Sequence, residues 1–198
     1  NGAQITGNSG ILVDGTVVID NDSGIIKANR SLGTSAGYAL TLTSSGKGQI
    51  KGGKFETYNK SAIFIAGNSN CTLKITGGEF IGGIKIARAQ SAPSLTIFNK
   101  TYQSSPHRDV DINANSNIIK VDETNLSDIV ISTLPVDLID GYRTIGWQWE
   151  IDENIESSND LILTAQDFDE NTTIRPLESN LYTIKFYDSQ EFVDEING

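Results

Sequence analysis

A block of about 22 to 25 residues recurs through the first two thirds of the chain. Residues 49–55 and 74–80 share the pattern x-Ile-x-Gly-Gly-x-Phe, and residues 96–102 and 120–126 repeat its apolar positions without the glycines. Self-similarity at this period is typical of a solenoid, in which each unit buries its apolar face only against its neighbours. The repeat therefore constrains the architecture before any single residue is considered.

Within each unit, apolar residues come in pairs spaced i, i+2, which is the period of a strand with one buried face. Three such positions per unit predict three short strands per coil, and hence an all-β, right-handed parallel β-helix. We expect Phe55, Phe80 and Tyr102 to stack in adjacent coils. We expect Ile50, Ile75 and Ile97 to form a ladder. One row of equivalent pairs is Leu40/Leu42, Ile63/Ile65, Ile84/Ile86 and Val110/Ile112, and a second row is Leu73/Ile75, Leu95/Ile97 and Ile119/Val121.

The charge of the chain divides it into two parts. Residues 1–105 carry ten Lys and Arg against five Asp and Glu, whereas residues 106–198 carry five against twenty, so +5 and −15 sum to the net charge of −10. The repeat register also fails near Leu134. We therefore predict a β-helix over residues 1–133 and a small acidic β-rich module over residues 134–198.

The second part contains both tryptophans, Trp147 and Trp149, which are two residues apart and share one face of a predicted strand. A module this small needs large apolar groups to bury enough area, so the indoles are predicted to form its core. The alternative is that they form a platform for a sugar or a protein partner.

Two resemblances suggest where such a chain is found. Residues 52–55 and 77–80 resemble the Gly-Gly-x-Phe repeats of secreted, cell-wall-attached proteins of Gram-positive gut and oral bacteria. Residues 141–147, 161–165 and 182–186 resemble, in degenerate form, the listerial and Bacteroides-type repeats of bacterial surface proteins. These resemblances imply an extracellular, cell-surface location on a bacterium.

Candidate catalytic groups are few. His107 is the single histidine, and it lies next to Arg108, Asp109 and Asp111, which could form a hydrolytic or lyase site or merely a solvated turn. Residues 20–24 begin like a calcium loop but lack the acid expected at its end, and an Asx-rich turn is the preferred interpretation. The lone Cys71 is predicted to be buried. No cofactor or metal ion is expected, nor is a nucleic-acid partner or insertion into a membrane.

Outward aromatic residues are the better indication of function. Phe64 lies between the inward residues Ile63 and Ile65, and Phe98 follows Ile97, so both are expected on the outer surface, unless a loop or the acidic module covers them. Exposed aromatic rings can stack on sugar rings or anchor a protein. The candidate binding residues are Phe64, Phe98, Trp147 and Trp149.

Because the chain has no Met and opens in repeat-like sequence, we expect a fragment of a longer protein. The expected function is a non-enzymatic adhesin or carbohydrate-binding stalk whose partner is a host or bacterial glycan or a surface protein. The alternatives are a polysaccharide lyase or glycoside hydrolase of the β-helix type, and a purely structural spacer.

Overall fold

The computed structural model describes residues 3–21, 23–28, 37–58, 61–68, 70–113, 118–126, 129–136, 142–149, 155–156, 161–168, 171–180, 183–188 and 191–197. The regular structure of these residues is nearly all β, and they contain no α-helix. The chain winds into a β-solenoid of parallel stacked coils, which confirms the predicted fold class. Within the same described segments, no helix has the length and apolar character needed to cross a membrane.

Four stacked layers of three strands each form the solenoid. The strands are β1 (Gln4–Gly7), β2 (Ile11–Val13), β3 (Thr16–Ile19), β4 (Ile25–Ala28), β5 (Leu40–Ser44), β6 (Lys47–Ile50), β7 (Lys54–Thr57), β8 (Ile63–Gly67), β9 (Thr72–Ile75), β10 (Gly77–Ile81), β11 (Ile84–Ile86) and β12 (Ser94–Ile97). Each strand from β4 to β12 pairs in parallel with the strand three places before it in the chain. The solenoid therefore has three faces: sheet A from β1-β4-β7-β10, sheet B from β2-β5-β8-β11, and sheet C from β3-β6-β9-β12.

The interior follows the predicted rows. Ile50 pairs with Ile75 and Ile75 with Ile97, which confirms the isoleucine ladder, and all three side chains are fully buried. The rings of Phe55 and Phe80 stack at 5.1 Å between centroids. Stacking of equivalent residues turn on turn therefore builds a continuous apolar core.

The chain reverses direction after the fourth layer. Strands β13 (Lys100–Gln103), β14 (Asp109–Ile112) and β15 (Ile118–Asp122) lie antiparallel to β12, β11 and β10, respectively, so a fifth layer runs backwards across the three sheets. We call this layer the reversed coil. The turn that starts it contains Phe98, whose φ of 52° lies in the left-handed region.

The reversal corrects two predictions. Tyr102 does not stack beyond Phe80 but pairs with Leu95 in sheet C, and Ile119, which was expected in the row of Leu95, lies opposite Phe80 in sheet A. Both predictions were wrong because parallel and antiparallel layers require the same i, i+2 alternation, so the pattern does not reveal the direction of a strand.

Residues after the predicted boundary extend two of the sheets. Sheet B continues with β16 (Val130–Val136) and β19 (Leu161–Thr164), and sheet C continues with β20 (Thr172–Asn180), β17 (Tyr142–Trp149) and β18 (Ile155–Glu156). Strands β21 (Thr183–Asp188) and β22 (Glu191–Asn197) form a hairpin. The predicted boundary at residue 134 falls within β16. The β-rich character of this part is confirmed, whereas its division into a separate module stays a prediction.

Candidate functional site

The outer face of sheet B carries the best-defined aromatic surface. Thr41, Phe64 and Lys85 follow one another across β5, β8 and β11, and Leu12 precedes them on β2. Their strand neighbours, such as Ile63 and Ile65, are fully buried in the core. Because side chains alternate along a strand, Phe64 points away from the core, as the sequence predicts.

Phe64 does not stand alone on this face. Its ring stacks on that of Tyr38, with centroids 4.6 Å apart and planes inclined by 22°, and both side chains are half-buried. An offset-stacked pair of this kind contributes about 0.5–1.5 kcal/mol beyond the area it buries. We refer to Tyr38 and Phe64 as the aromatic pair. The result is a preorganised aromatic surface beside the polar residues Thr41 and Lys85.

Sequence reasoning missed Tyr38. It lies just before β5, outside any strand, where the alternation of a strand does not apply, so its position could not be read from the pattern. The one sequence feature that could have pointed to Tyr38 is its aromatic side chain.

Phe98 lies elsewhere and is partly covered by another ring. It sits in the turn between β12 and β13, where its ring meets that of Phe168 edge-on at 5.9 Å. Phe168 ends a 3₁₀ helix (Ala165–Phe168), and the Asn99 side-chain amide donates a hydrogen bond to its carbonyl oxygen. The covering segment comes from the C-terminal third, which is the alternative that the sequence analysis left open.

The structure describes the side chain of Trp147 but only the backbone of Trp149. Trp147 is 1% exposed and belongs to the hydrophobic core, so its indole offers no surface to a sugar. Its backbone lies opposite Pro176 on β20. Trp149 lies opposite Ile174 in the same ladder, but its side chain falls outside the described part of the structure.

His107 has a partner that the sequence did not reveal. Its Nδ1 atom lies 2.9 Å from Oε2 of Glu178, which is on β20. The Ser105 hydroxyl donates a hydrogen bond to the other carboxylate oxygen of Glu178. The same hydroxyl oxygen accepts hydrogen bonds from the backbone N–H groups of His107, at 3.2 Å, and Arg108, at 2.9 Å. The serine and the histidine thus both bind the carboxylate, an arrangement that ties the loop after β13 to β20.

Asp109 takes part in a different set of contacts. One carboxylate oxygen lies 2.8 Å from the ammonium group of Lys85, and the other accepts the backbone N–H of Arg88 at 2.7 Å. The residue is buried. A carboxylate held in this way on both oxygens is poorly placed to act as a general base. The structure therefore does not join His107 and Asp109 into one reacting pair.

Charged residues form a ladder on the outer face of sheet A. Glu56 lies 3.1 Å from Lys27 and 2.9 Å from Lys54, and Lys54 also reaches Glu79 at 3.6 Å. The hydrogen bond from Lys54 is the main reason why the pKa of Glu56 is lowered. A glycosidase acid needs the opposite shift, because it must be protonated before it can donate.

The described residues of the turn at 20–24 have the contacts of an Asx turn. Asn21 accepts hydrogen bonds from the backbone and hydroxyl of Ser23, as expected for an Asx turn, and Asp20 pairs with Lys51 at 3.1 Å. Asp22 lies outside the described residues. Among the residues that the structure describes, no group of three or more His, Cys, Asp or Glu side chains could hold a metal ion.

Cys71 is buried, as predicted, and burial raises the pKa of its thiol to about 11, from an ordinary value of 9.0. The neutral thiol therefore contributes stability that is fully present below pH 9 and is lost as the pH rises towards 11. We expect a thiol-reactive disulfide reagent to leave the native chain unmodified at pH 8 and to modify it at once in denaturant. Rapid reaction of the native chain at pH 8 would show that the thiol is accessible.

Three comparisons with known proteins, against family models, curated proteins and solved structures, found no match. The functional argument therefore rests on the geometry of this chain.

Proposed function

We propose that this chain belongs to a secreted or cell-wall-attached bacterial surface protein and acts as a non-enzymatic adhesin or carbohydrate-binding stalk. The observation that carries the proposal is the aromatic pair of Tyr38 and Phe64 on the outer face of sheet B. A stacked, half-buried pair keeps its shape without a ligand, so little conformational entropy is lost when a partner binds.

The chemistry of the surroundings favours a sugar over a purely apolar partner. The hydroxyl of Thr41 and the ammonium group of Lys85 flank Phe64 on the neighbouring strands. Aromatic faces pack against the C–H groups of a sugar ring, while polar neighbours bind its hydroxyl groups. The Lys85–Asp109 ion pair holds the ammonium group beside this surface.

Two features support binding over catalysis. The carboxylate of Asp109 is engaged by Lys85 and by the Arg88 backbone, and the pKa of Glu56 is shifted towards the ionised form. Glu56 therefore does not match the protonated acid that glycoside hydrolysis requires, and both oxygens of Asp109 already have partners.

The test is a glycan-binding measurement. On a panel of bacterial cell-wall and host glycans, the chain should bind at least one polymer, and Phe64→Ala or Tyr38→Ala should weaken that binding by about tenfold or more, because each removes one ring of the pair. Tyr58→Ala is the matched control, since Tyr58 is 69% exposed and lies just after β7.

If Phe64→Ala, Tyr38→Ala and Tyr58→Ala all weaken glycan binding equally, the aromatic pair is not the binding site. Depolymerisation of a bound glycan by the unmodified chain would contradict the non-enzymatic proposal. An absence of glycan binding would favour the spacer.

A further inference from the structure

Lys85 lies beside the aromatic pair, opposite Phe64 on the next strand of sheet B, and its charge is already paired. Its ammonium group lies 2.8 Å from Oδ2 of Asp109, and the two side chains are 21% and 9% exposed. An ion pair this well shielded from solvent is screened by salt much less than a surface pair. Towards a ligand on Phe64, Lys85 therefore presents half of an ion pair and not a single positive charge.

Asp109 is held in this position from both sides. Its second oxygen, Oδ1, accepts a hydrogen bond from the backbone N–H of Arg88 at 2.7 Å, so the carboxylate cannot turn away from Lys85 without losing that contact. Burying a charged group is costly unless the group is both paired and hydrogen-bonded, and the buried Asp109 meets both conditions beside Lys85. The ion pair is therefore a fixed feature of this face.

Asp111 places a second carboxylate next to Lys85. The two residues are opposite each other in the antiparallel ladder of β11 and β14, and Val110 and Ile112 on either side of Asp111 are fully buried, so Asp111 faces outward with Lys85. The strand of Asp111 lies two strands from that of Phe64, or about 10 Å at the usual strand spacing. This distance is about one Debye length at an ionic strength of about 0.1 M, so Asp111 acts on a charge carried by a ligand on Phe64.

The charges at this end of the face cancel. Among the residues that the structure describes there, Lys85 and Arg88 carry two positive charges, and Asp109 and Asp111 carry two negative ones. An anionic ligand would lose hydration without meeting an unbalanced positive charge. The hydroxyl groups of a neutral sugar, by contrast, can donate hydrogen bonds to carboxylate oxygens and accept them from an ammonium group.

We propose that the aromatic pair binds a neutral glycan, and that Asp109 sets this preference by neutralising Lys85. The inference rests on the proposed glycan-binding function and adds the class of glycan, namely sugars without carboxylate, sulfate or phosphate groups. Specificity is a difference between two affinities, and here repulsion acts on anionic ligands alone, whereas stacking on the aromatic pair acts on both classes. Asp109 is thus a positioning residue that determines specificity through Lys85.

Two matched polymer pairs test the preference in the unmodified chain. Hydroxyethyl cellulose is compared with carboxymethyl cellulose, and glycol chitin with carboxymethyl chitin, so each pair shares a backbone and differs in charge. These polymers join the panel of cell-wall and host glycans. The polymers that bind should be neutral, and any anionic counterpart should bind more weakly by about tenfold or more.

The two proposals fail in different ways. Equal or tighter binding of the anionic member of a pair would overturn the preference for neutral glycans and leave glycan binding itself in place. An absence of binding to every polymer of the panel would overturn both proposals.

Asp109→Asn removes the negative charge and keeps the shape of the side chain, and its amide oxygen can still accept the backbone N–H of Arg88. The ammonium group of Lys85 can then attract an anion, so binding of the carboxymethylated polymers should strengthen by about tenfold. The gain should shrink at about 1 M salt, where the Debye length is about 3 Å. It should disappear in the double variant Lys85→Gln/Asp109→Asn. A variant that merely loosens the fold would weaken the binding of both classes.

Glu56→Gln is the matched control, because it makes the same change of charge on another face. Glu56 pairs with Lys27 and Lys54 on sheet A, so its substitution also releases lysines, but on a face other than that of the aromatic pair. It should leave the preference for neutral polymers unchanged. An equal gain of anionic binding in Glu56→Gln and Asp109→Asn would assign the effect to the net charge of the chain and would overturn the proposal.

Circular dichroism establishes whether each variant is folded. If the change at the buried Asp109 unfolds the chain, Asp111→Asn tests the same electrostatic argument at a half-buried side chain. Its loss of one carboxylate should strengthen the binding of carboxymethylated polymers by about threefold. A folded Asp109→Asn variant that keeps the preference of the unmodified chain would overturn the proposal, and so would a folded Asp111→Asn variant that does.

Discussion

Gly77→Ala is expected to destabilise the solenoid severely. A Cβ atom on Gly77 would lie 2.2 Å from the carbonyl oxygen of Lys51 in the layer below, and 2.9 Å from its carbonyl carbon. Neither atom belongs to a flexible side chain, so the clash is relieved only by separating two layers of the stack. We expect a loss of roughly 3 kcal/mol or more in the free energy of unfolding, measured by denaturant titration.

The matched control is Gly15→Ala. A Cβ atom at Gly15 meets nothing within 4 Å, and the residue lies in the turn between β2 and β3. Its substitution should change the unfolding free energy by no more than about 0.5 kcal/mol. Similar effects of the two substitutions would mean that the layers are not packed as closely at Gly77 as the structure shows.

Ile75→Ala is expected to cost about 2–5 kcal/mol of unfolding free energy. Ile75 is fully buried between Ile50 and Ile97, one layer to each side, so truncation removes contacts with both neighbours. The backbones of the layers are held at the spacing of a hydrogen-bonded sheet, which limits how far the structure can collapse around the cavity.

Lys74→Ala provides the comparison for Ile75 on the same strand. Lys74 is exposed on the outer face of β9, so its truncation should alter stability by less than about 0.5 kcal/mol. Thermal or urea unfolding of both variants checks the difference. If Ile75→Ala unfolds at the same denaturant concentration as the unmodified chain, the isoleucine ladder is not a core element.

Local alternation and the period of the repeat were enough to predict the stacked layers, the inward rows and the outward direction of Phe64. These features depend on which residues lie two apart on one strand and on the number of residues between successive layers. Both spacings can be counted in the sequence. The pairing of Phe55 with Phe80 and the ladder from Ile50 to Ile97 follow from them.

Tertiary structure alone decided the direction of the fifth layer and the partners of distant residues. The reversal at Phe98 moved Tyr102 into sheet C, because a strand with period two fits a neighbour in either direction. His107 and Glu178 are 71 residues apart, and Phe98 and Phe168 meet only when the C-terminal strands return to sheets B and C. Tyr38 contacts Phe64 from a position outside any strand, where no periodic pattern applies. Repetition therefore determined the coil, whereas contacts between residues far apart in the chain determined how the coil is covered and which of its aromatic rings stay at the surface.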